Sequence, residues 1–168
     1  MSSDIHIITG DVILLDRVEP LWLQQRDFHA NVNTTWRDSM KDKTFAARRT
    51  ELLRTARSAD DFRVTIAHDE STREDVGYCL TIIVPNGGGV IESLFVVEQR
   101  RGQRIGERLL DDAVDWLRKQ NTTRITLTVM IGNDDALRFY ERFGFRARTT
   151  EMELPPRLPI AHKTLKNA

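Results

Sequence analysis

The spacing of apolar residues changes period several times along the chain, and each change marks an element. Ile5, Ile7 and Ile8 form a short apolar stretch that predicts a first strand, closed by Gly10-Asp11. From about Asp11 to Val32 the pattern is helical, with Leu21, Trp22, Phe28 and Val32 on one face; Pro20 either kinks this helix or opens a fresh turn. A second helix is expected from about Thr35 to Ala56, with Trp36, Met40, Phe45, Leu52 and Leu53 inward, and Ser58 to Asp61 breaks it. The period then drops to two. Phe62, Val64 and Ile66 alternate with Arg63, Thr65 and Ala67, the signature of a half-buried strand. A charged turn from Asp69 to Asp75 leads to a strand from Gly77 to Val84. Pro85-Asn86-Gly87-Gly88-Gly89 predicts a hairpin turn, because asparagine and glycine accept positive φ.

Val90 to Val97 is the next strand, and its end, Leu94-Phe95-Val96-Val97, is apolar throughout, as for a strand covered on both faces. A glycine-bearing turn precedes a helix from about Ile105 to Gln120, whose buried stripe is Ile105, Leu109, Leu110, Ala113, Val114, Trp116 and Leu117. Thr123 to Met130 is a strand, and a short helix follows Gly132-Asn133. Asn133 suits an N-cap, and Asp134 and Asp135 suit the positive end of the helix dipole. Gly144 in Phe143-Gly144-Phe145 suits a left-handed cap. Arg146 to Leu154 alternates again and is expected to close the sheet. Pro155-Pro156 then ends regular structure, and Arg157 to Ala168 reads as a loose polar tail. The order is one strand, two helices, three strands, helix, strand, helix, strand: an α/β (α+β) domain with a mixed sheet over residues 1–154, followed by a tail over 155–168.

Composition narrows the class. The chain has 168 residues, which suits one domain, and 40% of them are hydrophobic, enough for a core. Lys plus Arg and Asp plus Glu each number 25, so there is no global basic excess of the kind a nucleic-acid surface needs. The single cysteine, Cys79, forbids an intrachain disulfide. With no basic-then-apolar start and no apolar run near the ~18 residues that span a bilayer, a cytoplasmic protein is expected. His6, His68 and His162 have no metal-ligand spacing, so no metal is expected. Trp22 and Trp116 read as core, and Arg48, Arg49, Arg54 and Arg57 as a solvated helix face.

Chemistry concentrates in Arg101-Gly102-Gln103-Arg104-Ile105-Gly106. A strand that runs through a glycine turn into a helix start aims free backbone N–H groups at one point, and the helix dipole adds positive charge there. Gly102 and Gly106 let the backbone approach a phosphate closely, and Arg101 or Arg104 adds charge. Read alone, the segment is either such an anion site or an ordinary strand–helix turn. A P-loop is set aside because Glu107-Arg108 stands where Lys-Ser/Thr would follow, and a dinucleotide fingerprint because it needs three glycines.

This segment resembles the pyrophosphate loop of the GNAT superfamily of N-acetyltransferases, Q/R-x-x-G-x-G/A, with Arg104 standing where the middle glycine is usual. Ile91 to Val96 resembles the family's fourth strand, and Asn133-Asp134-Asp135-Ala136-Leu137-Arg138-Phe139-Tyr140-Glu141-Arg142-Phe143-Gly144-Phe145 resembles its N-x-x-A-x-x-F-Y-x-x-x-G-F segment. The resemblance implies a sheet of about six or seven strands with a splayed central pair, flanked by about four helices. It implies acetyl-CoA as co-substrate, its pantetheine arm lying along Leu94, Phe95, Val96 and Val97 and its pyrophosphate on the amides of residues 101–106. The partner would be a small-molecule or peptide amine, attacking directly. A backbone N–H near Leu94–Val96 would polarise the thioester carbonyl.

An alkyl ammonium with a pKa near ~10.4 must lose a proton first. Glu92 is the carboxylate nearest the splay point, either base or salt-bridged strand residue. Tyr140 matches the family's tyrosine that protonates the departing thiolate, or is a packing aromatic. Asn133 contacts the cofactor or only caps its helix. Asp27, His29, Asn33 and Trp36 fall where the family builds its acceptor pocket, or are packing and surface residues. Cys79 reads as core rather than nucleophile. Dimers are common in the family, and a catalytically weak acyl-CoA-binding or sensing module is the competing reading.

Overall fold

Five strands build one sheet in the computed structural model, which describes residues 4–154. They are β1 (Ile5–Gly10), β2 (Asp61–Asp69), β3 (Glu74–Val84), β4 (Gly88–Val96) and β5 (Arg124–Leu127), and they lie side by side in chain order. The first three pairings are antiparallel and the last is parallel. The helices are α1 (Leu15–Val32), α2 (Arg37–Lys41), α3 (Phe45–Ser58), α4 (Ile105–Lys119) and α5 (Asp134–Arg142). The expected mixed α/β architecture is therefore present. The readings of Pro155-Pro156, of the 157–168 tail and of His162 lie outside the described residues.

Two expectations about element number are corrected. The described sheet has five strands rather than six or seven, because residues 146–154 form no strand. Their alternation finds no apolar surface to settle on: Met152 is 92% and Leu154 66% exposed. β5, only four residues long, offers few ladder bonds to a further strand. Among the described residues there are five α-helices rather than about four, because the expected Thr35–Ala56 helix divides at Asp42–Thr44. Thr44 takes an extended conformation and its hydroxyl accepts the Ala47 N–H at 3.3 Å, which starts α3 afresh. Pro20 lies inside α1 without ending it.

The sheet separates two apolar clusters, and alternation along β3 shows how. Tyr78, Leu80 and Ile82 face α1 and α3, where they meet Leu15, Leu21 and Leu52. Cys79 and Ile83 face α4 and α5, where they meet Leu109, Leu110 and Leu117. Each such buried leucine stabilises the fold by roughly 1.5–3 kcal/mol. Within the expected α4 stripe, Val114 and Trp116 are only half-buried, Trp116 lying 5.4 Å beneath the Arg63 guanidinium. Burial pushes the Cys79 thiol up to about 12, which fits a core role and not a nucleophile.

One irregularity positions everything that follows. β4 pairs with β5 only from Gly88 to Ile91. Across β3 the register then slips: Thr81 faces Ile91 but Leu80 faces Ser93, so Glu92 is an inserted residue. Such a bulge bends the strand that carries it. Beyond it β4 keeps its β3 pairing while the β5 side has no ladder, and the sheet opens there.

Candidate active site

The opening leads into a cavity of about 450 Å³. One wall is β4 from Ile91 to Leu94, and another is the segment after β5 (Thr128–Met130) with Asn133 and Tyr140 of the α5 region. The far wall comes from α1 and from the α2–α3 region. The cavity thus passes through the gap in the sheet and joins its two faces.

Along β4 the open edge can be read from the pairing. Val97 N–H donates to Val76 C=O at 3.0 Å, so Val97 points its backbone at β3. Successive residues of an antiparallel strand direct their amides to opposite sides. Phe95 therefore also faces β3, whereas Leu94 and Val96 turn theirs to the unpaired side. Arg101 Nε already donates to the Val96 carbonyl at 3.2 Å. An extended ligand with amide groups has a strand edge to join here.

Charge at the centre of the cavity is organised by Arg48. Its guanidinium bonds Glu92 at 2.7 Å and Glu51 at 3.0 Å and is only 17% exposed. This corrects the expectation that Arg48 belongs to a solvated face, and it brings out the salt-bridged alternative for Glu92. Arg54 and Arg57 are exposed, and Arg49 pairs with Asp16 at 3.1 Å. Beside Glu92, the Ser93 hydroxyl lies 2.8 Å from the Tyr78 hydroxyl and donates to Gln25 Oε1 at 3.0 Å, an atom that also accepts from Tyr78. This network roots α1 onto the sheet. Burial pushes the Tyr78 phenol well above its ordinary value, so it stays neutral.

Tyr140 lines the cavity from α5 and is 9% exposed, with Phe139 and Phe145 rings against it at 5.1 and 5.9 Å. Burial raises its pKa as well, so the phenol keeps its proton at neutral pH. Asn133 does two things: its side chain caps α5 by accepting Ala136 N–H at 3.3 Å, and it borders the cavity.

Residues 101–106 lie past the end of β4, at the start of α4. No side chain caps α4, so its first N–H groups have no side-chain acceptor. Gly102 has φ 77°, a conformation that favours glycine. Arg104 has φ 61°, holding a left-handed position despite its Cβ. Its guanidinium bonds Glu107 at 2.7 Å, which neutralises the one carboxylate of the helix's first turn. Arg101 stacks over Phe28 at 4.7 Å and so ties the loop to α1. Just before the loop, Arg100 meets the fully buried Asp69 at 2.5 Å. Hydrogen bonds from Ser71, with the Arg100 charge, hold the Asp69 carboxyl below its ordinary range.

Of the residues expected from sequence, Glu92, Leu94, Asn133, Tyr140 and His29 border the cavity. Phe95 and Val96 pack into the two cores, one on each face, and Val97 touches both. The loop 101–106 and Asp27, Asn33 and Trp36 are not among the cavity's walls. Asp27 instead bonds Arg26 at 2.8 Å. Sequence reasoning missed Arg48, Lys43, Ser93, Tyr78 and Gln25. Gln25 had a visible signal: it falls three and four residues after Trp22 and Leu21, a polar side chain on the buried stripe of α1. Among the described residues no group of His, Cys, Asp and Glu could hold a metal ion, and no helix is long and apolar enough to cross a membrane.

Comparison with known proteins adds to this geometry. The model of the acetyltransferase (GNAT) family matches residues 21–145. Acetyltransferase Atu2258 of Agrobacterium fabrum is 37% identical over 87 residues, covering 51% of this chain and 58% of that protein. The curated relatives are spanned for only 29% to 58% of their length. Among solved structures, the PaiA N-acetyltransferase of Thermoplasma acidophilum in complex with coenzyme A aligns with a TM-score of 0.71 and 17% identity, over 88% of this chain and 93% of that one. A mutant of the BH1408 protein of Bacillus halodurans aligns with a TM-score of 0.69 and 22% identity, over 89% and 98%. At these identities the structural likeness speaks to fold.

Proposed function

The chain belongs to the acetyltransferase (GNAT) family, and we propose that it moves an acetyl group from acetyl-CoA to a primary amine by direct attack in a ternary complex. The observation that carries this reading is the continuity between the unpaired edge of β4 beyond Ile91 and the uncapped start of α4. The first takes an extended amide-bearing arm, the second a diphosphate, and the two lie in the right order for coenzyme A.

Acetyl-CoA supplies an activated acyl group, and the chain's own residues orient it and handle protons. The amides of residues 101–106 hold the pyrophosphate. Leu94 and Val96 line the pantetheine arm, and a backbone N–H in this stretch donates a hydrogen bond to the thioester oxygen, on which negative charge develops as the amine attacks. The C–N bond forms, the C–S bond breaks, and Tyr140 gives its proton to the departing sulfur. The phenol carries a proton at neutral pH, because burial raises its pKa, and the thiolate's negative charge beside it draws that proton across. The amine first loses its own proton to Glu92 or to water held at the Glu92–Ser93 corner. The Cys79 thiol plays no part.

A second reading, an acyl-CoA-binding module with weak turnover, draws on two observations: Arg104 in a left-handed loop position and the engagement of Glu92 by Arg48. The two are separated by incubating the protein with acetyl-CoA and a mixed amine panel while following free thiol. Amine-dependent thiol release supports the transferase. Tight CoA binding with no release above background for any amine supports the module.

A further inference from the structure

The charges around the cavity bear on the acceptor. Three carboxylates stand on or next to its acceptor side, and each is already matched. Glu92 and Glu51 share Arg48 at 2.7 and 3.0 Å, and Asp27 bonds Arg26 at 2.8 Å. Lys43 is different. It lines the cavity from the α2–α3 loop, and among the described residues no carboxylate lies within ion-pair distance of its ammonium. Its backbone is fixed in place: Arg26 Nη1 donates to the Lys43 carbonyl at 3.0 Å, and Lys43 N–H donates to Met40 C=O at 3.1 Å. Its charge is felt inside the site, because burial and then the Lys43 ammonium hold the His29 imidazole below its ordinary value. His29 is therefore neutral at pH 7 and does not duplicate that charge.

We infer, on the footing of the transferase reading, that the acceptor is a small amine that also carries a carboxylate, whose anionic group Lys43 receives while its amine lies at the Glu92–Ser93 end of the cavity. A polyamine fits poorly. Its second ammonium would find no uncommitted carboxylate and would face Lys43. A plain alkyl amine leaves Lys43 without a partner. A carboxylate supplies the missing counter-charge, and the arginine-matched glutamates oppose it little.

The test uses matched amines in the thiol-release assay: ω-amino acids of increasing chain length, their methyl amides, and diamines of equal length. One ω-amino acid is expected to exceed its amide in kcat/KM by about two- to fivefold, the range of an exposed ion pair. K43M should collapse that ratio, whereas K41M, which changes an exposed lysine outside the cavity, should keep it. Equal rates for acid and amide, or a preference for the diamine, would overturn the inference and leave the transferase reading standing. If no amine turns over, the transferase reading fails, and calorimetry decides recognition separately. An N-acetyl ω-amino acid should bind the protein–CoA complex about two- to fivefold more tightly than its amide, again only with Lys43 present. Equal binding would overturn it.

Discussion

Tyr140 and His29 show how single side chains acquire chemistry from burial. Tyr140 lines the cavity with the Phe139 and Phe145 rings packed against it, and phenylalanine fills the same space without the proton. Tyr140→Phe is expected to lower kcat by about 100-fold, the low end of general-acid effects, while acetyl-CoA affinity changes less than about threefold. Steady-state kinetics with CoA calorimetry checks this, and an unchanged kcat would remove Tyr140 from the mechanism. His29 makes a stability prediction. Its folded pKa is depressed, by burial first and Lys43 second, so the folded state resists taking up a proton that the unfolded chain accepts near ~6.5. Its contribution is fully present above that value and is lost as pH falls through the folded pKa. The Tm of the parent should therefore drop more between about pH 7.5 and 5.5 than that of His29→Gln; equal drops would sink the argument. Residue by residue, the sequence pointed to Tyr140 and Glu92 because they sit in recognisable segments, and both border the cavity. It hid Arg48, since a helical arginine betrays its partner only when the facing strand is known, and Glu92 lies 44 positions away.

At the scale of elements, α4 and β4 were the most legible. α4 carries a sustained apolar stripe of helical period, and β4 an apolar end whose short length, β-branched and aromatic residues and flanking glycines suit a strand. The α2–α3 break was not seen, because Asp42-Lys43-Thr44 interrupts no apolar register; only the capping geometry of Thr44 reveals it. The alternation of residues 146–154 misled for the opposite reason: a period of two describes a strand only where a neighbour exists to pair with. The start of α4 permits a direct test. A Cβ on Gly106 would meet Phe139 at 3.6 Å, an ordinary contact, and glycine is a weak helix former. Gly106→Glu should therefore still fold, yet put bulk and negative charge where a diphosphate must sit. CoA affinity is expected to fall by about 100-fold or more, like-charge contact costing several kcal/mol. A normal CoA-induced thermal shift in this variant would show that the loop is not the phosphate site.

Seen whole, the molecule is two cores held on one sheet that is deliberately incomplete at one place. The order of elements from β1 to α5 was readable from local pattern except for the divided second helix, the closing strand is absent among the described residues, and the cleft was implied by the family resemblance of motifs in series. The cavity's charge arrangement was not, because it joins α1, the α2–α3 loop, α3 and β4 across long separations. Ligand binding should act on the entire fold. CoA at about one hundred times its Kd adds roughly 2.7 kcal/mol of stability. For a chain of this size that is a Tm rise of about 5–10 °C, measurable by calorimetry, and no rise would exclude CoA as a ligand. The inserted Glu92 has a last consequence. Sliding β4 by one position to close the ladder would turn every side chain beyond it to the wrong core. The slot is thus written into the residue count and not into a hinge. It stands ready before any encounter, and association can proceed at the pace of collision and docking, without waiting for the chain to rearrange.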